Sequence, residues 1–219
     1  MENTIPAQIL FLADLVIYFL IILVHITKRN ISIVYVYAAQ SLMITFLMVY
    51  SASVNHSYAL WILAALIFGL KVAAAPIFFL RQIKKQTLQS MTSSYLGLPL
   101  TLIGIAVLTM VTHSRFFAAL ATLSPANENA LMISIAAMFI SLFIIINRKG
   151  ALSQMIGILS LENAIVAFAF AAGLEQGLGL ELGIIFDICA WIVIATVFVT
   201  MIYKKFHTLD VSVMTKLKG

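Results

Sequence analysis

An all-α, polytopic bundle of membrane-spanning helices is the fold this sequence predicts, on three observations. Hydrophobic residues make up 63% of the 219 positions and charged ones only 10%, against about 45–50% and 25% in a soluble globular domain. The apolar residues form continuous runs of roughly 20, enough to cross the hydrocarbon core, rather than the ten-residue alternations of a membrane β-barrel. Basic residues fall between alternate runs, as they do in the loops of a helical membrane protein. With mean hydropathy at +1.11, too little polar surface remains to wrap a water-soluble core. No polar stretch is long enough for a second domain, so residues 1–219 read as one membrane domain, and nucleotide-binding and zinc-finger modules are excluded.

Seven spans follow in order. The first, 6–26, reads as a retained helix, because Met1-Glu2-Asn3 lacks the positive leader of a signal peptide and Asp14 interrupts the apolar run. The second, 31–50, begins after Lys28 and Arg29, and the third, 58–80, carries Lys71 and Pro76. The fourth, 95–111, is the shortest and accommodates Pro99 in its first turns. For the fifth, 125–146, Ser124 is the expected N-cap with Pro125 at the first helical position. The sixth and seventh are 152–173 and 180–203, the latter holding the single cysteine, Cys189.

Loop charges orient the bundle. Lys28 and Arg29, then Arg81, Lys84 and Lys85, then Arg148 and Lys149, then Lys204, Lys205, Lys216 and Lys218 all fall on one side. The opposite side has only Arg115, and Lys71 lies within a span. The excess of basic residues marks the cytoplasmic face of an inner membrane, with the N-terminus outside and the C-terminus inside. The net charge of +5 therefore signals topology and contacts with lipid or partners rather than nucleic acid.

Four ionisable residues remain inside the spans: Asp14, Lys71, Glu162 and Asp187. Each costs roughly 2.5–3.5 kcal/mol near the bilayer centre, or about 10 kcal/mol together. A structural ion pair of Lys71 with one carboxylate accounts for only one acid of the three. The two left over point to a proton or cation pathway. Gln40, Ser160 and Asn163, with Ser153 and Gln154, offer hydrogen bonds or water sites between the carboxylates, although a bond to a facing helix is the commoner use of any single one of them. Small residues at Gly69-x3-Ala73 and through 164–172 predict close helix packing.

Other chemistries find no support. One cysteine makes neither a disulfide nor a thiolate cluster, and CxxC, P-loop, GxGxxG and HExxH motifs are missing from the sequence. His25 and His207 lie towards one face and His56 and His113 towards the other, so no pair faces within the spans as a b-haem requires. A retinal protein would carry its lysine in the seventh span, not the third.

A faint internal repeat adds to the architecture. Arg29 precedes Ser41-Leu42, and Arg148 precedes Ser160-Leu161, by twelve residues each, and the following spans hold Lys71 and Asp187. This relates 6–80 to 125–203, with 95–111 as a connector helix, as a parallel repeat of a three-helix unit.

The stretch Arg148 to Ala167, RKGALSQMIGILSLENAIVA, with Asp187 and the tail from His207-Thr208-Leu209-Asp210-Val211 to Leu217-Lys218-Gly219, resembles component E of hydrogenase-4 and formate hydrogenlyase-like complexes. Gln40-Ser41-Leu42 and the Lys71 and Pro76 pair extend the resemblance over nearly the whole chain. The second half is similar to the small K subunit of respiratory complex I and its counterpart in multisubunit cation/proton antiporters. In those subunits buried acids on the second and third helices belong to the proton path, which implies that role for Glu162 and Asp187. The complex I pattern places its first acid near Leu159, one turn earlier on a similar helix face.

The resemblance implies a non-catalytic subunit of the membrane arm. Its pathway residues would be Glu162, Asp187, Lys71 and Asp14, supported by Gln40, Asn163 and Ser160. It implies no cofactor in this chain: the nickel-iron centre and iron-sulfur clusters belong to a peripheral hydrogenase arm, and larger antiporter-like subunits are its membrane partners. Two alternatives stand beside it, a subunit of a multisubunit Na+/H+ antiporter and a purely structural membrane anchor.

Overall fold

The computed structural model describes residues 5–85 and 93–174, together with the separate positions 189 and 196. All regular elements among the described residues are helices. Helices α1 (Ala7–Ile26) and α2 (Asn30–Val54) lead into a composite third rod: α3 (Tyr58–Ile67), a π-helical stretch (Phe68–Ala74) and α4 (Ala75–Lys85). Then come α5 (Leu98–Thr112), the short α6 (Ala118–Ala121), a 3₁₀ turn (Pro125–Asn127), α7 (Glu128–Asn147) and α8 (Ala151–Ala171). Five rods, Ala7–Ile26, Asn30–Val54, Tyr58–Lys84, Pro125–Asn147 and Ala151–Ala171, are long and apolar enough to cross a membrane, and α5 is a shorter apolar helix. Helices occupy the first six expected segments, with ends shifted by a few residues. The seventh, 180–203 with Asp187, lies outside the described residues, and with it the last third of the second repeat.

Local chemistry explains most ends. Ser57 caps α3, its hydroxyl accepting from Leu60 N at 3.5 Å. Ser124 occupies the expected N-cap position before Pro125, but its side chain makes no cap hydrogen bond. Pro125 is the first helical residue, of a 3₁₀ turn that leads into α7, and the Ser124 hydroxyl accepts from Asn127 Nδ2 at 3.2 Å. The π stretch has a cause in Pro76, which lacks an N–H and whose ring crowds the carbonyl one turn back. Wider turns absorb that mismatch, with Ala75 N bonding to Leu70 O.

The most extensive pairing is α7 against α8, while α1 packs on both α2 and α7. Ile17, Ile21, Ile33, Ile44, Leu131, Ile140 and Ile156 are buried at this centre. The alanine-rich end of α8 contributes as expected, with Ala164, Ala167, Ala169 and Ala171 buried. Gly69 does not: it is exposed in the π stretch, and a Cβ there would meet nothing within 4 Å. The close approach is at Gly157, where a Cβ would lie 2.8 Å from Ile144 Cγ2 and 3.0 Å from Ile145 Cγ1. Gly157→Ala is therefore expected to cost about 1–3 kcal/mol by overpacking the α7–α8 seam. A lowered thermal midpoint in detergent checks this, and an unchanged one would show that α7 yields.

Outside, the bundle is apolar. Leu12, Val16, Phe19, Leu23 and Ile26 are exposed along one face of α1, and Leu42 and Phe46 along α2. Water tolerates such continuous patches poorly, whereas lipid solvates them and helices satisfy their own backbone polar groups.

Candidate functional site

The composite rod, α8 and α2 bring one polar constellation together. Lys71 sits in the π stretch with its side chain wholly enclosed. Its ammonium donates to Asn163 Oδ1 at 3.0 Å and lies 3.7 Å from Glu162 Oε2. Glu162 and Asn163 are neighbours on α8, so a single long side chain from the facing rod reaches both. Asn163 Nδ2 then donates to Ser41 Oγ on α2 at 3.1 Å. The amide thus uses its oxygen for the lysine and its nitrogen for the serine, which orients it unambiguously. Tyr37, one turn before Ser41 on α2, is fully buried, and its hydroxyl has no hydrogen-bond partner among the described residues.

This arrangement suits a charge held in a low-dielectric interior. Burying an ammonium alone costs several kcal/mol, and only a close carboxylate with further hydrogen bonds offsets that. Both are present for Lys71. Access is unequal: Glu162 keeps 14% of its side-chain surface accessible and Lys71 keeps none. That exposure belongs to the stem of Glu162, since both its carboxylate oxygens are buried.

The expected layer is only partly joined. Lys71, Glu162 and Asn163 meet, and Ser41, which was not among the expected pathway residues, completes the line to α2. Asp14 is buried at 1% exposure, and both its carboxylate oxygens lack a hydrogen-bond partner among the described residues. The lysine therefore pairs with Glu162 and not with Asp14. Gln40 and Ser160 are buried with side-chain polar atoms that also find no partner among the described residues. Gln154 serves elsewhere, donating to Arg148 O at 2.8 Å. Asp187 lies outside the described residues.

A second polar cluster closes the end of the bundle where the basic loops gather, and sequence reasoning treated it as loop charge alone. Arg148 is only 2% exposed. Its Nη2 donates to the carbonyls of Val24, His25 at 2.7 Å and Thr27 at 2.8 Å, all at the C-terminal turn of α1. These are the orphan acceptors at the negative end of a helix, a natural seat for a cation. Beside it, Asn147 Nδ2 donates to Thr101 Oγ1 at 3.1 Å, and Asn147 Oδ1 accepts from Leu96 N at 2.9 Å, which ties α7 to the start of α5. Nothing in the residue type distinguishes Arg148 from the exposed Arg29 at the equivalent point of the repeat.

Among the described residues no group of three or more His, Cys, Asp or Glu side chains is placed to hold a metal ion. No protein-family model matches the chain, and neither a curated protein nor a solved structure matches it.

Proposed function

We propose that the chain is a membrane-arm subunit of a hydrogenase-4 or formate hydrogenlyase-like complex related to complex I, contributing to proton or cation translocation. The observation that carries this reading is the buried line Glu162–Lys71–Asn163–Ser41, which links α8, the π stretch and α2. The resemblance of 148–167 and of the tail supports it, as does the π stretch under Lys71, since such stretches concentrate at functional sites. Glu162, Lys71, Asp14 and Asp187 form the path in this reading, with Gln40, Asn163 and Ser160 supporting it.

The chemistry is that of linked charges. A proton arriving at Glu162 removes the charge that balances Lys71, so proton occupancy of one group changes the cost of charge on the other. Asn163 and Ser41 hold the lysine in place while the carboxylate changes state. The chain makes seven spans in an inner membrane, with its N-terminus outside and its C-terminus cytoplasmic. Residues 6–80 and 125–203 form parallel repeats about a connector helix. Nickel-iron and iron-sulfur chemistry belongs to the peripheral hydrogenase arm, and larger antiporter-like subunits adjoin this chain in the membrane.

Capture of the tagged chain after mild detergent extraction is expected to recover hydrogenase large and small subunits together with antiporter-like membrane subunits. Antiporter subunits without a hydrogenase would reassign it to a multisubunit Na+/H+ antiporter. A monodisperse chain recovered alone would sink the subunit reading.

A further inference from the structure

A cavity of about 320 Å³ opens between the C-terminal end of α1, the turn before α5 and the α7–α8 corner. Lys28 and Arg148 line it, with the Ser93–Ser94 turn and the first residues of α5. Three features of its wall are electropositive. Arg148 is buried, and its Nε has no hydrogen-bond partner among the described residues. The α1 carbonyls that hold the guanidinium carry only partial charge, and no carboxylate among the described residues pairs with it. Burial pulls the Arg148 guanidinium down to about 10, which still leaves it cationic at neutral pH. Lys28 stands exposed at the rim. The third feature is the start of α5, which has no side-chain cap and no acid in its first turn, leaving the positive end of a helix facing the wall.

Besides the polar His25 and Thr101, the lining has an apolar border. Ile26, Leu96 and Leu98 border the cavity and are 40%, 38% and 44% exposed. A small hydrated anion has no use for such a border, whereas an acyl chain does. We propose that this cavity binds the phosphate group of an anionic glycerophospholipid, with Lys28, the Arg148 corner and the α5 N-terminus facing the phosphate and Ile26, Leu96 and Leu98 lying along the acyl chains. Its position among the basic loops is where anionic headgroups collect.

The test is retention of phosphatidylglycerol by the full chain extracted in mild detergent, read by native mass spectrometry against phosphatidylcholine. Lys28→Gln alters an exposed side chain and is expected to weaken phosphatidylglycerol binding about fivefold, and Lys28→Glu about 25-fold, the effect of one and two units of charge at a lipid surface. Lys84→Gln, also exposed but outside the cavity lining, is expected to change nothing. Inorganic phosphate added in millimolar amounts should leave the lipid bound, and its full displacement would assign the site to free phosphate and overturn the lipid assignment. Equal retention of phosphatidylcholine, an unchanged Lys28→Gln variant, or an equal loss in Lys84→Gln would each overturn the proposal.

Discussion

Glu162→Gln is expected to abolish proton translocation by the assembled complex while leaving its subunit content intact. Glutamine keeps the size of the side chain and still turns a carbonyl dipole towards Lys71, which lies 3.7 Å from Oε2 in the native ion pair and keeps its hydrogen bond to Asn163. What it removes is the exchangeable proton. A positioned proton-exchanging group acts by about 100-fold or more, so pumping should fall by at least that order, beneath detection in vesicles. Lys71→Met differs in kind, because it leaves a carboxylate inside the bundle without its cation at about 3–5 kcal/mol. Assembly should therefore fall in Lys71→Met and recover in the Lys71→Met, Glu162→Gln double variant, with pumping absent in both. The measurement is proton uptake by vesicles containing the complex, with redox turnover and subunit content followed in parallel. Full pumping in a Glu162→Gln, Asp187→Asn double variant would end the pathway reading and leave the chain as a structural anchor.

The second large effect is on stability and concerns Arg148. Replacing it by Met keeps most of the volume but strands three carbonyls, those of Val24, His25 and Thr27, at the end of α1. Each buried acceptor left without a partner costs about 1–3 kcal/mol, so a loss of about 3–5 kcal/mol is expected. Part of that returns in Arg148→Lys, which restores the charge but not the planar fork of donors. Thermal unfolding in detergent and the amount of chain in the membrane report the loss. A midpoint within a degree or two of the parent would show that water replaces the guanidinium at no cost.

Both predictions rest on residues whose types were visible in the sequence and whose roles were not. Asp14, Lys71 and Glu162 stood out because charge inside an apolar run is rare and expensive. That rarity says nothing about which acid the lysine meets. Asn163 was noticed as a polar neighbour, but its bridging position between Lys71 and Ser41 depends on the rotation of α8 against α2. Tyr37 passed unnoticed because tyrosine is common in membrane helices. Gly69 was read as a packing site from its spacing alone, and the π stretch, a response to Pro76, leaves it in open space.

Composition and run length alone determined that this chain is a bundle of apolar helices and where six of them lie to within a few residues, although Arg81, Lys84 and Lys85, expected in a loop, lie in the last turns of α4. Those properties follow from crossing length and the cost of exposing backbone to hydrocarbon, and both are written linearly along the chain. Only the tertiary structure decided the pairing of Lys71 with Glu162 instead of Asp14, the burial of Arg148 beneath the end of α1, and the close approach at Gly157. The reason is the solvent. A helix in water shows its inward face by an apolar stripe. On α2 here, Leu42 and Phe46 face out while Ile44 and Leu47 face in, with no difference in polarity to tell them apart. Rotation and choice of neighbour are then set by side-chain packing and hydrogen bonds between helices, and those exist only once the helices have met.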